Sequence, residues 1–110
     1  MKIFKEEIFG PVCSITKFKS GDGSAEEALR IANNSEYGLL GGFFTNDRNK
    51  ANLMERNMQC GQVGNNCYLG IGVDVPFGGY KQSGLGREMS QASFDNFLET
   101  KTVVVDCSTP

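Results

Sequence analysis

Cys13, Cys60, Cys67 and Cys107 are the side chains best suited to nucleophilic chemistry, and the 110-residue chain contains no histidine to serve as their base. That excludes Ser-His or Cys-His nucleophile activation within this chain. The cysteines form neither a C-x-x-C pair nor any zinc-ligand spacing, so no metal site is expected and they read as reduced thiols. A second concentration of chemistry is Pro76-Phe-Gly-Gly-Tyr-Lys-Gln-Ser-Gly-Leu-Gly-Arg-Glu88, which holds four of the fourteen glycines. Glycine loses more conformational freedom on folding than other residues, so this density suits a backbone that takes positive φ or approaches another segment closely. Phe77 and Tyr80 would anchor such a loop while Lys81, Gln82, Ser83, Arg87 and Glu88 supply polar contacts. The plainer reading is a structural turn before a helix.

Two phosphate-binding patterns fail on inspection. A P-loop needs G-x-x-x-x-G-K-[ST], but Gly79 and Gly84 are followed by Leu85 and Gly86. The dinucleotide fingerprint G-x-G-x-x-G ends on Met89 in one candidate and on Val75 in the other. Net charge is -2 and the cations are scattered, so neither nucleic acid nor a membrane face is an expected partner. No apolar run reaches membrane-spanning length and Met1-Lys-Ile-Phe-Lys-Glu-Glu lacks a signal-peptide core, so the default expectation is a soluble, cytoplasmic chain. The sequon Asn33-Asn34-Ser35 carries no meaning in that compartment.

The elements that must position these residues alternate between strand-prone and helix-prone segments. Gly10-Pro11 signals a turn, and Val12 to Phe18 is short and β-prone. Ser24-Ala-Glu-Glu27 has the pattern of a capping box, opening a helix that packs through Ala28, Leu29 and Ala32 and ends near Asn33-Asn34. Phe43-Phe44-Thr45 reads as the next strand. Asn46 or Asp47 then caps a helix whose Ala51, Met54 and Met58 share one face. Cys60 to Cys67 follows as a strand weakened by Gly64-Asn65-Asn66. A third helix over about Glu88 to Leu98 should bury Phe94, Phe97 and Leu98, and Thr102-Val-Val-Val105 ends the chain as an apolar strand. The alternation argues for an α/β layer with a short, mostly parallel sheet. So thin a sheet leaves apolar edges and an uncovered face, which suggests part of something larger.

Taken together the motifs resemble the aldehyde dehydrogenase superfamily, and its C-terminal portion in particular. Glu6-Glu-Ile-Phe-Gly-Pro11, Ala32-Asn33 with Glu36-Tyr-Gly-Leu39, the Pro76 to Glu88 run and Glu99-Thr-Lys-Thr-Val103 stand in that family's order and approximate spacing. The resemblance spans practically this whole chain but a minority of a full-length member, and Met1 looks like an internal methionine used as a start. It implies two units: residues 1–98 as the C-terminal part of the catalytic domain, and residues 99–110 as an oligomerisation strand and tail. It implies oxidation of an aldehyde to a carboxylate, in which a cysteine thiolate attacks, the thiohemiacetal passes hydride to NAD or NADP, and a glutamate-activated water releases the acid.

The resemblance places nucleophile, general base and nucleotide-binding fold upstream of this chain. Gly61-Gln62-Val63-Gly64 imitates the Gly-Gln-x-Cys nucleophile motif but has glycine in place of the sulfur, so no catalytic residue is expected here, and Cys60 and Cys67 are expected to be structural. Glu7 corresponds to a carboxylate that accepts from the nicotinamide ribose hydroxyls and Phe9 to an aromatic beside the nicotinamide ring. Without the resemblance they would read as a surface acid and a core aromatic. Phe77 corresponds to an aromatic near the substrate tunnel, and Ile71 stands where some members carry a substrate-pocket aromatic. Thr102 to Val105 corresponds to the strand that joins a neighbouring subunit. Gly64 and Asn65 depart from the bulky aromatic and β-branched residue usual there, which puts the local core in doubt. Three readings stand: a dehydrogenase segment inactive alone, a non-catalytic chain that adds its last strand to full-length relatives, and a remnant that does not fold stably.

Overall fold

The computed structural model describes residues 2–68, 70 and 72–108. Its central unit is a strand, a helix and a second strand. β1 (Leu40–Phe43) runs into α2 (Arg48–Asn57) and returns as β2 (Gln62–Asn65), parallel to β1 with Leu40 opposite Gln62 and Phe43 opposite Asn65. A parallel pair needs such a crossover, and α2 provides it. α1 (Ser24–Asn33) packs against α2. Two two-residue strands, β3 (Tyr37–Gly38) and β4 (Tyr80–Lys81), pair antiparallel, so the glycine-rich run is tied to the turn leaving α1. Short 3-10 helices cover Lys2–Phe4 and Gln91–Phe97.

The two α-helices begin and end close to where the sequence places them. Asp47 caps α2, accepting hydrogen bonds from the backbone N–H groups of Asn49 (2.8 Å) and Lys50 (3.2 Å). Asp47→Ala leaves both donors without their partner and is expected to lower stability by about 1 kcal/mol, measurable as a lower midpoint in urea. Ala51 and Met54 are buried as the spacing requires. The capping box at α1 does not form. Ser24 is already helical, Gly23 is the cap residue with φ of 74°, and its position carries no side-chain cap. Glu27 instead accepts from the Lys19 backbone N–H at 3.2 Å, tying the helix to the preceding arm.

Other expectations are corrected. The sheet is one parallel pair and one antiparallel pair, not a continuous mostly parallel sheet. Val12 to Phe18 is extended but belongs to no strand, because among the described residues no backbone hydrogen bond joins it to a neighbouring segment; Ser14 Oγ donates to Ile3 O at 3.4 Å. The strand expected at Phe43 to Thr45 lies instead at Leu40–Phe43. The expected third α-helix is the 3-10 segment Gln91–Phe97, entered through Met89 and Ser90 at positive φ. Phe94, Phe97 and Leu98 are exposed, Phe97 by 85 %, since no element among the described residues lies over them. Thr102 to Val105 is assigned to no strand, and all three valines are exposed.

Little of the chain is enclosed. Its accessible surface is 9121 Å², against about 6,000 Å² for a compact monomer of this mass. The radius of gyration is 19.8 Å, where a compact chain of this length gives about 13 Å. The expectation of a chain with uncovered apolar faces holds.

The weak strand forms nonetheless, for reasons specific to its residues. A Cβ at Gly64 would lie 2.5 Å from the Cys67 carbonyl oxygen, so glycine permits that approach. Asn65 Nδ2 donates to Glu55 Oε1 at 2.8 Å, anchoring the strand to α2. Asn66 continues the pairing with its side chain, accepting from Thr45 N (2.8 Å) and donating to Thr45 O (2.9 Å). The side-chain oxygens of Gln62 and Asn65 are buried without a partner, a destabilising pair of orphans.

Candidate functional site

The turn from Asn33 to Leu39 is the wall on which the site is built. The Asn33 side chain donates to Asn57 O at 2.8 Å and accepts from Gln59 N at 2.9 Å, so it joins the C-terminal ends of α1 and α2. Lys81 Nζ reaches back to the carbonyls of Asn33 (2.9 Å) and Ser35 (3.0 Å). A cation there meets the otherwise unpaired carbonyls and negative end of α1. Gln82 N donates to Glu36 O at 2.9 Å and Gly38 N to Ser83 Oγ at 2.9 Å. Lys81, Gln82 and Ser83 therefore make the polar contacts expected of the glycine-rich run, and their target is the α1 exit turn.

The rest of that run is braced internally. Phe77 and Glu88 exchange backbone hydrogen bonds of 2.9 and 2.7 Å. Arg87 Nη1 donates to the carbonyls of Gly79 (3.1 Å) and Gly86 (2.6 Å), and its guanidinium lies 5.3 Å from the Tyr80 ring centre. Asn96 donates to the Arg87 carbonyl and holds the 3-10 segment against the loop. Gly84 and Gly86 have φ of 133° and 77°, as the glycine spacing implies.

An open cleft of about 650 Å³ lies between the N-terminal arm and this wall. The arm contributes Glu7, and the wall contributes Asn33, Tyr37 and Gly38, with Cys60 and Ser83 behind. Glu6 forms an exposed ion pair with Lys2 at 3.8 Å, while the Glu7 carboxylate has no hydrogen bond or ion pair among the described residues. Its two oxygens are available to accept from hydroxyls in the cleft.

The remaining expected site residues do not converge there. Phe9 is 83 % exposed just beyond Glu7 on the arm; it is no core aromatic in this chain. Phe77 is half-buried in the bridged base of the glycine-rich loop and is not among the described residues lining the cleft. Ile71 lies outside the described residues. No group of three or more metal-ligating side chains occurs among the described residues.

Sequence reasoning missed Asn33 as the residue that joins two helix ends, and Tyr37 and Cys60 as parts of the cleft. A helix-terminal asparagine followed by the Ser35-Glu36 turn was the available signal for Asn33. Cys60 is half-buried, and its thiol donates to Gln62 O at 3.1 Å. Burial pushes its pKa above the usual thiol range, outweighing the hydrogen bonds with the Gln62 and Gly41 backbones and the Lys81 charge. A raised thiol pKa means fewer thiolates, the opposite of a nucleophile's need. Cys60 is therefore expected to alkylate with iodoacetamide more slowly than exposed Cys13 and Cys107 at mildly alkaline pH, with mass spectrometry of tryptic peptides as the readout. The folded state holds the thiol proton more tightly, so this group's contribution to stability falls as pH rises from the unfolded pKa through the folded one.

The sequence and the fold both have close counterparts. A model of the aldehyde dehydrogenase family matches residues 1–103. Acetaldehyde dehydrogenase 2 of Cupriavidus necator is 48 % identical over 108 residues, which are 98 % of this chain and 21 % of that protein. The mitochondrial aldehyde dehydrogenase of Rattus norvegicus is 50 % identical over 105 residues, 96 % of this chain and 20 % of its own length. Relatives include cytosolic forms as well, such as one from Mus musculus. Among solved structures, an NAD-dependent aldehyde dehydrogenase from Sinorhizobium meliloti superposes with a TM-score of 0.88 at 37 % identity, covering 100 % of this chain and 21 % of that one. An indole-3-acetaldehyde dehydrogenase from P. syringae, solved with NAD+ and IAA, gives 0.83 at 46 % identity over 92 % of this chain and 20 % of its own. The chain thus spans about a fifth of the length of the relatives it matches. No helix among the described residues is long and apolar enough to cross a membrane.

Proposed function

This chain belongs to the aldehyde dehydrogenase family, and from that premise we propose that it is the C-terminal part of an oxidoreductase that converts an aldehyde to a carboxylate with NAD or NADP. The observation that carries the reading is the family match over residues 1–103. Residues 1–98 belong to the catalytic domain and 99–110 form the oligomerisation strand and tail. Nucleophile, general base and nucleotide-binding fold come from the other four-fifths of the parent, so the 110-residue chain alone does not oxidise aldehydes.

Within the parent, Glu7 accepts hydrogen bonds from the nicotinamide ribose hydroxyls. Its unpaired carboxylate on the rim of a cleft of about 650 Å³ fits that task. Phe9, exposed beside it, covers the nicotinamide ring. Phe77 and Ile71 border the substrate. The nicotinamide cofactor supplies the hydride acceptor, and this chain's residues hold and orient it without acting on the aldehyde. Asn33, Lys81 and Ser83 fix the wall opposite Glu7.

A chimera tests this. Residues 1–110 replace the matching C-terminal fifth of the Cupriavidus necator enzyme, and NADH formation from acetaldehyde is followed at 340 nm. The chimera is expected to turn over, and Glu7→Ala in it to raise the KM for NAD about tenfold or more, as loss of charged hydrogen bonds to a ligand does. A folded chimera without turnover overturns the reading, and an unchanged KM in the variant removes Glu7 from the cofactor site.

A second reading concerns association. Thr102 to Val105 is an extended, β-branched segment with its valines exposed, Val104 by 88 %. We propose that it adds to a sheet in a neighbouring subunit, by backbone pairing of the kind that gives affinity to edge-strand addition.

A further inference from the structure

We propose that Asp22-Gly23, at the entry to α1, is a site of spontaneous isoaspartate formation, and that this modification detaches the N-terminal arm from the helix. Asp22 is the one aspartate of five that precedes glycine, and no asparagine does. The reaction requires the backbone nitrogen of the following residue to reach the side-chain carboxyl carbon. Glycine has no Cβ to shield that nitrogen, and its backbone turns freely. Both flanking glycines take positive φ, Gly21 at 93° and Gly23 at 74°, and a Cβ at either would meet no atom within 4 Å. Asp22 is exposed, and neither its carboxylate nor the Gly23 N–H forms a hydrogen bond among the described residues. The two reacting groups are adjacent, unshielded and free of competing partners.

The other aspartates are held or hindered. Asp47 accepts from Asn49 N and Lys50 N, and Asp106 from the backbone N–H and the hydroxyl of Ser108. Asp74 precedes Val75, whose branched side chain crowds its nitrogen and whose N–H donates to Gly72 O at 3.0 Å. Asp95 lies inside the 3-10 segment Gln91–Phe97, where the backbone is already fixed.

The step balances without a second reactant. From the protonated carboxyl, the Gly23 nitrogen bonds to Asp22 Cγ, the amide proton and the carboxyl hydroxyl leave as water, and a five-membered succinimide remains. Water then opens the ring. Cleavage between the nitrogen and Cγ restores aspartate, whereas cleavage between the nitrogen and the Asp22 backbone carbonyl carbon routes the main chain through Cγ and leaves the α-carboxylate as the side group. One water leaves and one enters, and nothing is oxidised or reduced.

The product lengthens the main chain by one methylene inside a closed loop. Ser24 N donates to Gly21 O at 3.2 Å across the turn, and Lys19 N donates to Glu27 Oε2 at 3.2 Å. Asp22 lies between the partners of both bonds, so the extra atom breaks the spacing on which they depend. The Lys19 bond ties the arm to α1, and the arm carries Glu7 and Phe9. Isoaspartate at position 22 therefore loosens the segment that borders the cleft.

The 110-residue chain is aged for several weeks at neutral pH and physiological temperature. Isoaspartate is counted by methyl transfer from S-adenosylmethionine, with an isoaspartyl methyltransferase as reagent, and located by electron-based fragmentation of tryptic peptides. It is expected to build up at position 22 about tenfold or more faster than at any other aspartate, a modest difference in barrier height. Asp22→Glu keeps the exposed charge but requires a six-membered ring, so it is expected to lose the signal with its urea midpoint unchanged. A synthetic peptide of residues 19–27 gives the rate without the fold, and the folded chain is expected to approach it. A folded chain at less than roughly a tenth of the peptide's rate, or one no faster at position 22 than elsewhere, overturns the site. Hydrogen exchange, read on the modified and unmodified peptides of one peptic digest, reports the arm. The Lys19 amide is expected to exchange about tenfold faster in the modified form, as loss of a bond to a charged acceptor allows. Equal exchange in the two forms overturns the release of the arm.

Discussion

Gly61→Ala is expected to abolish the cooperative unfolding transition of this chain. A Cβ at Gly61 would overlap the Gly78 carbonyl oxygen and press on the Gly78 carbonyl carbon at 2.8 Å. Both atoms belong to backbone, so no rotamer change relieves the clash. The start of β2 would have to part from the glycine-rich loop. Gln62 Nε2 to Pro76 O at 3.3 Å holds that junction directly, and Gly61 N to Gly38 O at 3.0 Å holds it through β3, which pairs with Tyr80–Lys81 of the loop. The combined strain and lost bonding place the change at about 4 kcal/mol or more, the range reached only by severe backbone or core lesions. Ordinary domains hold about 5–15 kcal/mol in total, and this one encloses less than most. Gly70→Ala is the control, because a Cβ there meets no atom within 4 Å. Circular dichroism on heating should show a sigmoidal transition for the wild type and Gly70→Ala and a sloping line for Gly61→Ala. A retained sigmoid in Gly61→Ala would show that the loop does not rest on β2.

Asn33→Ala is expected to cost about 1–3 kcal/mol, the second largest loss. The asparagine amide satisfies Asn57 O and Gln59 N together, and alanine leaves both without that partner. Lys81→Met removes the two bonds from Nζ to the Asn33 and Ser35 carbonyls. Lys81 is exposed and water can replace it there, so a loss of about 1 kcal/mol is expected. Both variants act on the exit from α1, so their effects should fall short of additive in a double-mutant cycle read by urea unfolding. Strict additivity would show that the two clamps act on separate structures.

The sequence was most legible where a single local rule decided the outcome. Asp47 had the cap position, the right side chain and an apolar stripe beyond it, and α2 follows. At Ser24 the same kind of rule failed because Gly23 takes the cap position at positive φ, leaving Glu27 to bond the arm. The strands shifted for a related reason. Phe43 to Thr45 has the stronger β propensity, yet pairing falls on Leu40–Phe43, because Gly41 and Gly42 face Val63 and Gly64 in register. A Cβ at Gly41 would come within 2.9 Å of the Met58 terminal methyl, so β1 lies close under the Met58 side chain at the end of α2.

For the site, the residues alone singled out the glycine-rich run, and only the family resemblance pointed to Glu7, which otherwise reads as a surface acid. Composition determined that this chain lacks histidine, and residue spacing that it lacks a P-loop and a dinucleotide fingerprint. The order of four motifs determined its family. Tertiary structure decided that Lys81 and Ser83 close on the exit from α1, that Glu7 borders a cleft while Phe77 stands apart in the loop base, and that Cys60 is partly buried. It also decided that Val12 to Phe18 and Thr102 to Val105 have no backbone pairing among the described residues. Propensity is a property of a segment, whereas a strand exists only when a second backbone lies beside it at hydrogen-bonding distance.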